Sequence, residues 1–361
     1  MIKYIGSKRK LLDGITQVVQ ACPGVRTVLD LFSGTSRVGM ALKREGYAVY
    51  ANDYLSFAHC LATCYLQADK EDWWEKGAAL VEELRGVPPR DGYFTETFCR
   101  KSRFLQPKNG ARVDGIRERI EEMGLEPELR AIALTSLMEA ADRVDSTTGV
   151  HMAYLKKWAP RAKNDLELRM PELIERSPFG PCRAYCLDAV EGAGIPVDLA
   201  YLDPPYNQHS YLGNYHIWES LVRWDKPPVY GVACKREDCR SRKSLFNSKP
   251  RALKALQEVV NKLRATYLVL SFNDEGYMDR ESLEELLACR GEVLVFEKEH
   301  RRYVGAQIGI HDLQGRKVGT VGSLKNRELL YVCMPSSQVR SFVSRFNALG
   351  ASGFRVSPRS R

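Results

Sequence analysis

Seven apolar runs of strand length recur along the chain: Val25–Phe32, Ala48–Asp53, Cys182–Asp188, Asp198–Asp203, Thr266–Asn273, Gly291–Lys298 and Arg327–Met334. Helical patterns separate most of them, as in Arg37–Glu45, Ala252–Arg264 and Arg280–Cys289. Strands alternating with helices dictate an α/β fold, a doubly wound and mostly parallel seven-stranded sheet covered on both faces. The last two runs break the rule, because the stretch joining them is polar, Gly-rich and without a helical pattern. A return without a crossover helix predicts an antiparallel last strand.

Residues 58–177 interrupt the rhythm as well. Their helical patterns ("WWEKGAALVEELR", "GIRERIEEMG", "ELRAIALTSLMEAADRV") predict a helical subdomain inserted between the sheet-forming segments 1–57 and 178–345, with Trp73 and Trp74 in its core. An irregular basic insertion is expected over 207–250, and the end 346–361 reads as a frayed basic tail.

The first strand–helix–strand unit, "VRTVLDLFSGTSRVGMALKREGYAVYANDY", contains a Gly turn and ends in acid. In such units the turn amides and the helix N-terminus approach a ligand at the carboxyl edge of the strands. Asp53 lies 19 residues after Gly34, a spacing that suits a carboxylate on ribose hydroxyls. The turn does not follow the dinucleotide pattern of three glycines, and it carries Asp30 just before it and Arg37 just after. An acid there suits a cationic ligand better than a pyrophosphate, and S-adenosylmethionine, with an amine and a sulfonium, is such a ligand. The plainer reading of Asp30 is a helix cap at a strand end.

The ordered motifs "KYIGSKRKLL", "DLFSGT", "ND", "CLDA" and "YLDPPY" resemble those of the class alpha, DPPY-type N6-adenine DNA methyltransferases, which include the Dam methylases and the modification partners of several restriction enzymes. The segments "YLKKWAPRAKNDLEL", "YNQHSYLGNYHIWESL" and "RRYVGAQIG" are similar to its restriction-associated branch. The resemblance implies a Rossmann-like methyltransferase sheet and S-adenosylmethionine as cofactor. It places Tyr4 and Lys8 beside the methionine end of that cofactor, and Asp30, Phe32, Ser33, Gly34 and Thr35 in the cofactor turn. Asp53 would take the ribose, and Asp188 the adenine amine. The chain departs from the family in two places: Ser36 stands where a second glycine is usual, and Tyr4 where some members have tryptophan.

The run Asp198–Asp203 ends in Asp203-Pro204-Pro205-Tyr206. Prolines cannot donate to a sheet ladder, so the strand must stop there. An exocyclic amine is a poor nucleophile because its lone pair is delocalised into the ring. It attacks a sulfonium methyl when acceptors hold its two N–H groups as charge develops. The Asp203 carboxylate and the Pro204 carbonyl can be those acceptors, aimed by the fixed proline dihedrals. Tyr206 would stack on the base, which must first leave the duplex. No Ser-His-Asp or Cys-His arrangement competes, and direct in-line displacement needs none.

Lys and Arg outnumber Asp and Glu by 54 to 45, a net charge of +9 that favours a polyanionic partner, here double-stranded DNA. Candidate DNA contacts are Lys156, Lys157 and Arg161 in the helical insertion, Lys235 and Arg236 in the basic one, and Arg301 and Arg302 near the last turn. His209, Tyr211 and Tyr215 follow the Asp-Pro-Pro-Tyr motif and would cover the flipped base, or else pack the start of the helix after it. No membrane-spanning run and no signal peptide are evident, so a cytoplasmic, nucleoid-associated enzyme is expected, as a monomer and with a possible cognate restriction endonuclease. The ten cysteines read as reduced and mostly buried, and no metal site is expected. N4-cytosine methylation poses the same chemical problem and remains an alternative, as does a non-catalytic nucleic-acid-binding protein with the same fold. A nicotinamide dehydrogenase is disfavoured by the turn.

Overall fold

The computed structural model describes residues 1–6, 8–274, 276–301, 325–350 and 354–357, apart from the side chains of 299–301, 325–326 and 355–357. Its strands are β1 (Thr27–Asp30), β2 (Ala48–Asn52), β3 (Arg183–Tyr185), β4 (Val197–Leu202), β5 (Val229–Tyr230), β6 (Lys235–Arg236), β7 (Ala265–Asn273), β8 (Glu292–Arg301), β9 (Lys325–Met334) and β10 (Arg355–Ser357). All seven expected strands are among them. The chain folds as two compact units, one of Met1–Leu12, Arg26–Ile195 and His209–Ser244, the other of Asp13–Val25, Pro196–Gln208 and Leu245–Arg361. Both units are discontinuous along the chain.

In the first unit β2 lies between β1 and β3 and is parallel to both, with Asp30 opposite Ala51 and Asn52 opposite Tyr185. Parallel pairing brings the acidic ends of the strands to one edge. The helix Arg37–Arg44 returns the chain from β1 to β2 and buries Val38, Met40 and Leu42. Its Lys43 is buried too. The ammonium donates to Asp69 and to the Leu66 carbonyl, both at 2.7 Å, which fastens the helix to the start of the helical insertion. That insertion consists mainly of Lys70–Arg85, Pro107–Glu122 and Pro127–Arg143. Lys70–Arg85 turns the stripe Gly77, Leu80, Val81 and Leu84 inward. Trp73 is only half-buried at the edge of that stripe, and Trp74, one residue round the helix, is exposed rather than in the core.

In the second unit β4 runs parallel to β7, with Leu202 opposite Leu270. β9 is antiparallel to β7 and to β8, as expected from a connecting sequence without a helical pattern. β7 reads as a nearly continuous apolar run and is buried from Tyr267 to Asn273, the mark of a strand covered on both faces. The end of the chain is not simply frayed: β10 pairs antiparallel with β8, Val356 opposite Phe296. Among the described residues no helix is long and apolar enough to cross a membrane. Cys186 and Cys289 are exposed, and the other cysteines are buried.

Candidate active site

The edge where β1 and β2 end is built from backbone turns closed by side chains. Asp30 is 1% exposed, and its Oδ2 accepts from the Gly39 amide in the first turn of Arg37–Arg44 at 3.2 Å. The helix-capping role weighed for Asp30 is therefore present. The Ser33 amide donates to the Asn52 carbonyl at 2.9 Å, and the Ser36 amide to the Ser33 carbonyl at 2.7 Å, which winds residues 33–36 into a tight turn. Gly34 sits in that turn at φ 50°, a left-handed backbone open to glycine. A Cβ there would come within 3.2 Å of the Tyr4 ring. Ser36 is left-handed too, at φ 60°, where the family's usual glycine would be relaxed. The hydroxyls of Ser33 and Ser36 are buried and have no hydrogen-bond partner among the described residues.

Asp53 faces this turn. Its Oδ2 accepts from the Gly34 amide and its Oδ1 from the Leu55 amide, both at 3.0 Å. Burial pushes the Asp53 carboxyl up to about 6, against the pull of those two amides. Tyr4 lies over Gly34 and stacks with Tyr215 at 4.6 Å and Tyr211 at 5.2 Å between centroids. The Ile5 amide donates to the Tyr215 hydroxyl at 2.6 Å. Tyr215 is fully buried, so it packs the N-terminal segment against the turn and does not face DNA. Tyr211 is half-buried, His209 is exposed, and Lys8 is buried. Phe32 is half-buried and Thr35 buried.

Sequence reasoning gave Asn52 no role, although "ND" was a visible motif. Its side chain is buried, donating to the Leu31 and Leu187 carbonyls and accepting from the Leu187 amide. One amide thereby ties the end of β1 to the segment after β3. Asp188, the next residue in that segment, is exposed, and its Oδ1 caps the short helix Ala189–Gly192 through the Val190 amide at 2.9 Å.

The second unit holds the other constellation. β4 stops at Leu202, immediately before Asp203 and the two prolines. Asp203, Pro205 and Tyr206 are half-buried and Pro204 is buried. The Tyr206 carbonyl accepts from the Tyr277 amide at 3.0 Å, and its ring meets Phe272 edge-on at 5.9 Å. The Asn247 side chain donates to the Asn207 carbonyl at 2.8 Å, and the Tyr277 hydroxyl to Gln208 at 2.9 Å. The motif is thus held from the end of β7 and the loop before Lys249–Lys262.

The basic candidates divide sharply. Lys156 and Lys157 are exposed. Arg161 donates to the buried Asp145 at 2.7 Å and to the Thr147 carbonyl. Arg236 is not a phosphate contact: it is buried, bidentate to Asp225 at 2.7 Å and also bonded to Asp238. Lys235 is half-buried, with its ammonium 3.2 Å from the Met152 sulfur. The Arg301 side chain and the whole of Arg302 lie outside the described residues. Among the described residues no group of three His, Cys, Asp or Glu is placed to hold a metal ion.

Comparison with known proteins follows the same line. The chain is 31% identical over 303 residues to modification methylase StsI of Streptococcus sanguinis, covering 79% of this chain and 46% of that protein. It is 30% identical over 315 residues to type II methyltransferase M.NlaIII of Neisseria lactamica, covering 84% and 92%. It is 29% identical over 324 residues to modification methylase LlaI of Lactococcus lactis subsp. lactis, covering 84% and 51%. The chain thus spans about half the length of two of these relatives and nearly all of the third. Residues 4–284 match the model of the D12 class N6 adenine-specific DNA methyltransferase family, and to that family the chain belongs.

Proposed function

We propose that this chain transfers a methyl group from S-adenosylmethionine to adenine N6 within a specific sequence of double-stranded DNA, by direct in-line displacement on a flipped-out base. The observation that carries the reading is Asp203-Pro204-Pro205-Tyr206 at the carboxyl end of β4, with the backbone of Tyr206 fixed by Tyr277. The Asp203 carboxylate and the Pro204 carbonyl would accept hydrogen bonds from the two amine N–H groups, and the carboxylate offsets the positive charge that grows on nitrogen as the N–C bond forms, the sulfonium S–C bond breaks and one amine proton is released. Both acceptors are aimed before the reaction starts, which makes them effective. Tyr206 stacks on the base and offsets part of its unstacking, about 1–3 kcal/mol.

The first unit supplies a donor set that fits the cofactor. Asp30 suits an amine and Asp53 a pair of ribose hydroxyls, while the turn around Gly34 leaves the Ser33 hydroxyl buried and without a partner among the described residues. Lys8 and the Tyr4 ring close the methionine end, Phe32 and Thr35 line the turn, and Asp188 receives the adenine amine. When bound, S-adenosylmethionine supplies the electrophilic methyl on its sulfonium. Lys156 and Lys157 contact phosphates. The protein acts as a cytoplasmic monomer that works at the nucleoid, and its relatives' names as type II methyltransferases point to a cognate restriction endonuclease as its counterpart.

Incubating the protein with methyl-labelled S-adenosylmethionine and mixed genomic DNA, then separating the nucleosides, tests the reading. Label in N6-methyladenine supports it. Label in N4-methylcytosine overturns the base assignment, and no label with cofactor bound overturns the reaction.

A further inference from the structure

The helix Ser56–Ala62 starts directly after the Asp53 turn, and its capping position, Leu55, has no side-chain acceptor. The Phe57 amide in its first turn donates instead to Glu219 Oε2 at 3.1 Å. Glu219 belongs to the helix His216–Arg223 and is 0% exposed. Its Oε1 accepts from Arg242 Nη1 at 3.1 Å. Arg242 Nη2 donates to the Tyr54 carbonyl at 3.4 Å, and the guanidinium carbon lies 5.8 Å from the Tyr54 ring centroid. A buried carboxylate and its arginine therefore grip the chain at Tyr54 and Phe57, on the two sides of Leu55, whose amide holds Asp53.

We propose that Glu219 and Arg242 are positioning residues for the Asp53 carboxylate: the pair fixes the turn from Asp53 to Phe57 and balances the charge beside it. This rests on the reading of Asp53 as a cofactor-binding residue. A buried carboxylate is tolerated when a cation faces it, and removing the cation leaves its full charge acting on its neighbours. Arg242 is itself shared with Asp238 at 3.3 Å, and Asp238 also pairs with the buried Arg236. The other titratable groups that face Asp53 are the half-buried Tyr4 and Tyr54 and the more exposed Cys186, each holding its proton more tightly because it is partly desolvated. Among these neighbours only Glu219 brings a negative charge, and it raises the Asp53 carboxyl further. Asp53 must be ionised to accept two hydroxyl protons, so cofactor affinity falls as pH drops through about 6. Without the Arg242 charge that limb moves to higher pH; without the Glu219 charge it moves to lower pH.

Titration calorimetry of S-adenosylmethionine on the whole chain, at about pH 6 and about pH 8.5, reads this directly. Arg242→Gln is expected to weaken binding roughly fivefold more at the lower pH than at the higher, which is what about one pKa unit on Asp53 gives at that pH. Glu219→Gln is expected to shift the acid limb the opposite way, and the double variant to return it close to the parent. Should Arg242→Gln fail to fold, Arg242→Lys keeps the charge without the fork and is expected to keep the acid limb. Equal losses at both pH values in both single variants would mean that the pair only holds the fold together, and would overturn the proposal. Absence of binding to the parent protein would instead overturn the assignment of Asp53 to the cofactor.

Discussion

Replacing Ser36 by glycine should stabilise the protein, and the magnitude can be worked out from the turn. Ser36 is 0% exposed, left-handed at φ 60° and ψ 21°, and carries a buried hydroxyl without a partner among the described residues. A left-handed residue with a Cβ costs about 1–2 kcal/mol, and a glycine recovers that while losing about 0.5–1 kcal/mol to its freer unfolded chain. The unpartnered hydroxyl costs about a further 1–3 kcal/mol. Ser36→Gly is therefore expected to gain about 1–4.5 kcal/mol, and Ser36→Ala, which keeps the strained backbone but drops the hydroxyl, about 1–3 kcal/mol. Urea unfolding of parent and both variants without cofactor gives the three values directly. The reasoning fails if alanine is more stable than glycine, because the backbone strain would then be smaller than the entropic cost of a glycine. It fails equally if both variants are less stable than the parent, because the hydroxyl would then be satisfied.

Other changes separate the roles assigned above. Asp203→Ala should abolish methyl transfer while leaving the dissociation constant of S-adenosylmethionine nearly unchanged; appreciable turnover would remove Asp203 as the amine's acceptor. Gly34→Ala forces a Cβ against the Tyr4 ring at φ 50° and should lower stability by about 1–3 kcal/mol, as read in a melt, together with cofactor affinity. Arg236→Met should lower unfolding free energy by about 2–3 kcal/mol, because Asp225 and Asp238 lose their shared cation, yet leave the salt dependence of DNA binding as it was. Replacing Lys156 and Lys157 by alanine should do the reverse, leaving stability unchanged and reducing the slope of log affinity against log salt by about 0.9 for each phosphate no longer neutralised.

The strands were legible because their residues are apolar on both faces, and Gly, Pro or acid marks their ends. β4 ends where Asp203-Pro204 says it must, and the antiparallel β9 follows from a linker without a helical pattern. β10 could not be read, since three residues are too few for a period and its strand state comes from hydrogen bonds offered by β8. The cofactor turn was legible as spacing, but its mechanics were not. That Tyr215 anchors Ile5, or that Asn52 ties Leu31 to Leu187, depends on contacts between residues more than a hundred positions apart or on separate strands. Glu219 left a faint signal, an acid within the apolar helix "HIWESLVRW", and its partner lies 23 residues away in a loop.

In the basic segment after β5 several of the charges counted are taken up by carboxylates. A phosphate site works by releasing counterions condensed on DNA, and a guanidinium already neutralised by carboxylates has little left to contribute. Arg236 is held by Asp225 and Asp238, Arg242 by Glu219 and Asp238, and Arg240 by Glu237 while lying 4.1 Å over the Tyr230 ring. What looked like a polyanion-binding stripe is in large part an internal lattice of ion pairs. Its buried Arg236 joins the hairpin β5–β6 to the helix that carries Tyr215 at its start, through the Ser220 hydroxyl, and the buried Glu219 of that helix holds Arg242. That helix in turn holds the first turn after Asp53. Lys243 and Lys249 of this segment are exposed, and further solvent-facing charge lies outside it. The exposed Lys156 and Lys157 lie in a segment that Arg103 anchors through the Lys156 carbonyl at 2.9 Å and over the Trp158 ring at 4.8 Å. An anchored backbone carrying two exposed ammonium groups can meet a phosphate with little ordering cost, whereas the paired arginines would first have to abandon their carboxylates, of which Glu219 is buried.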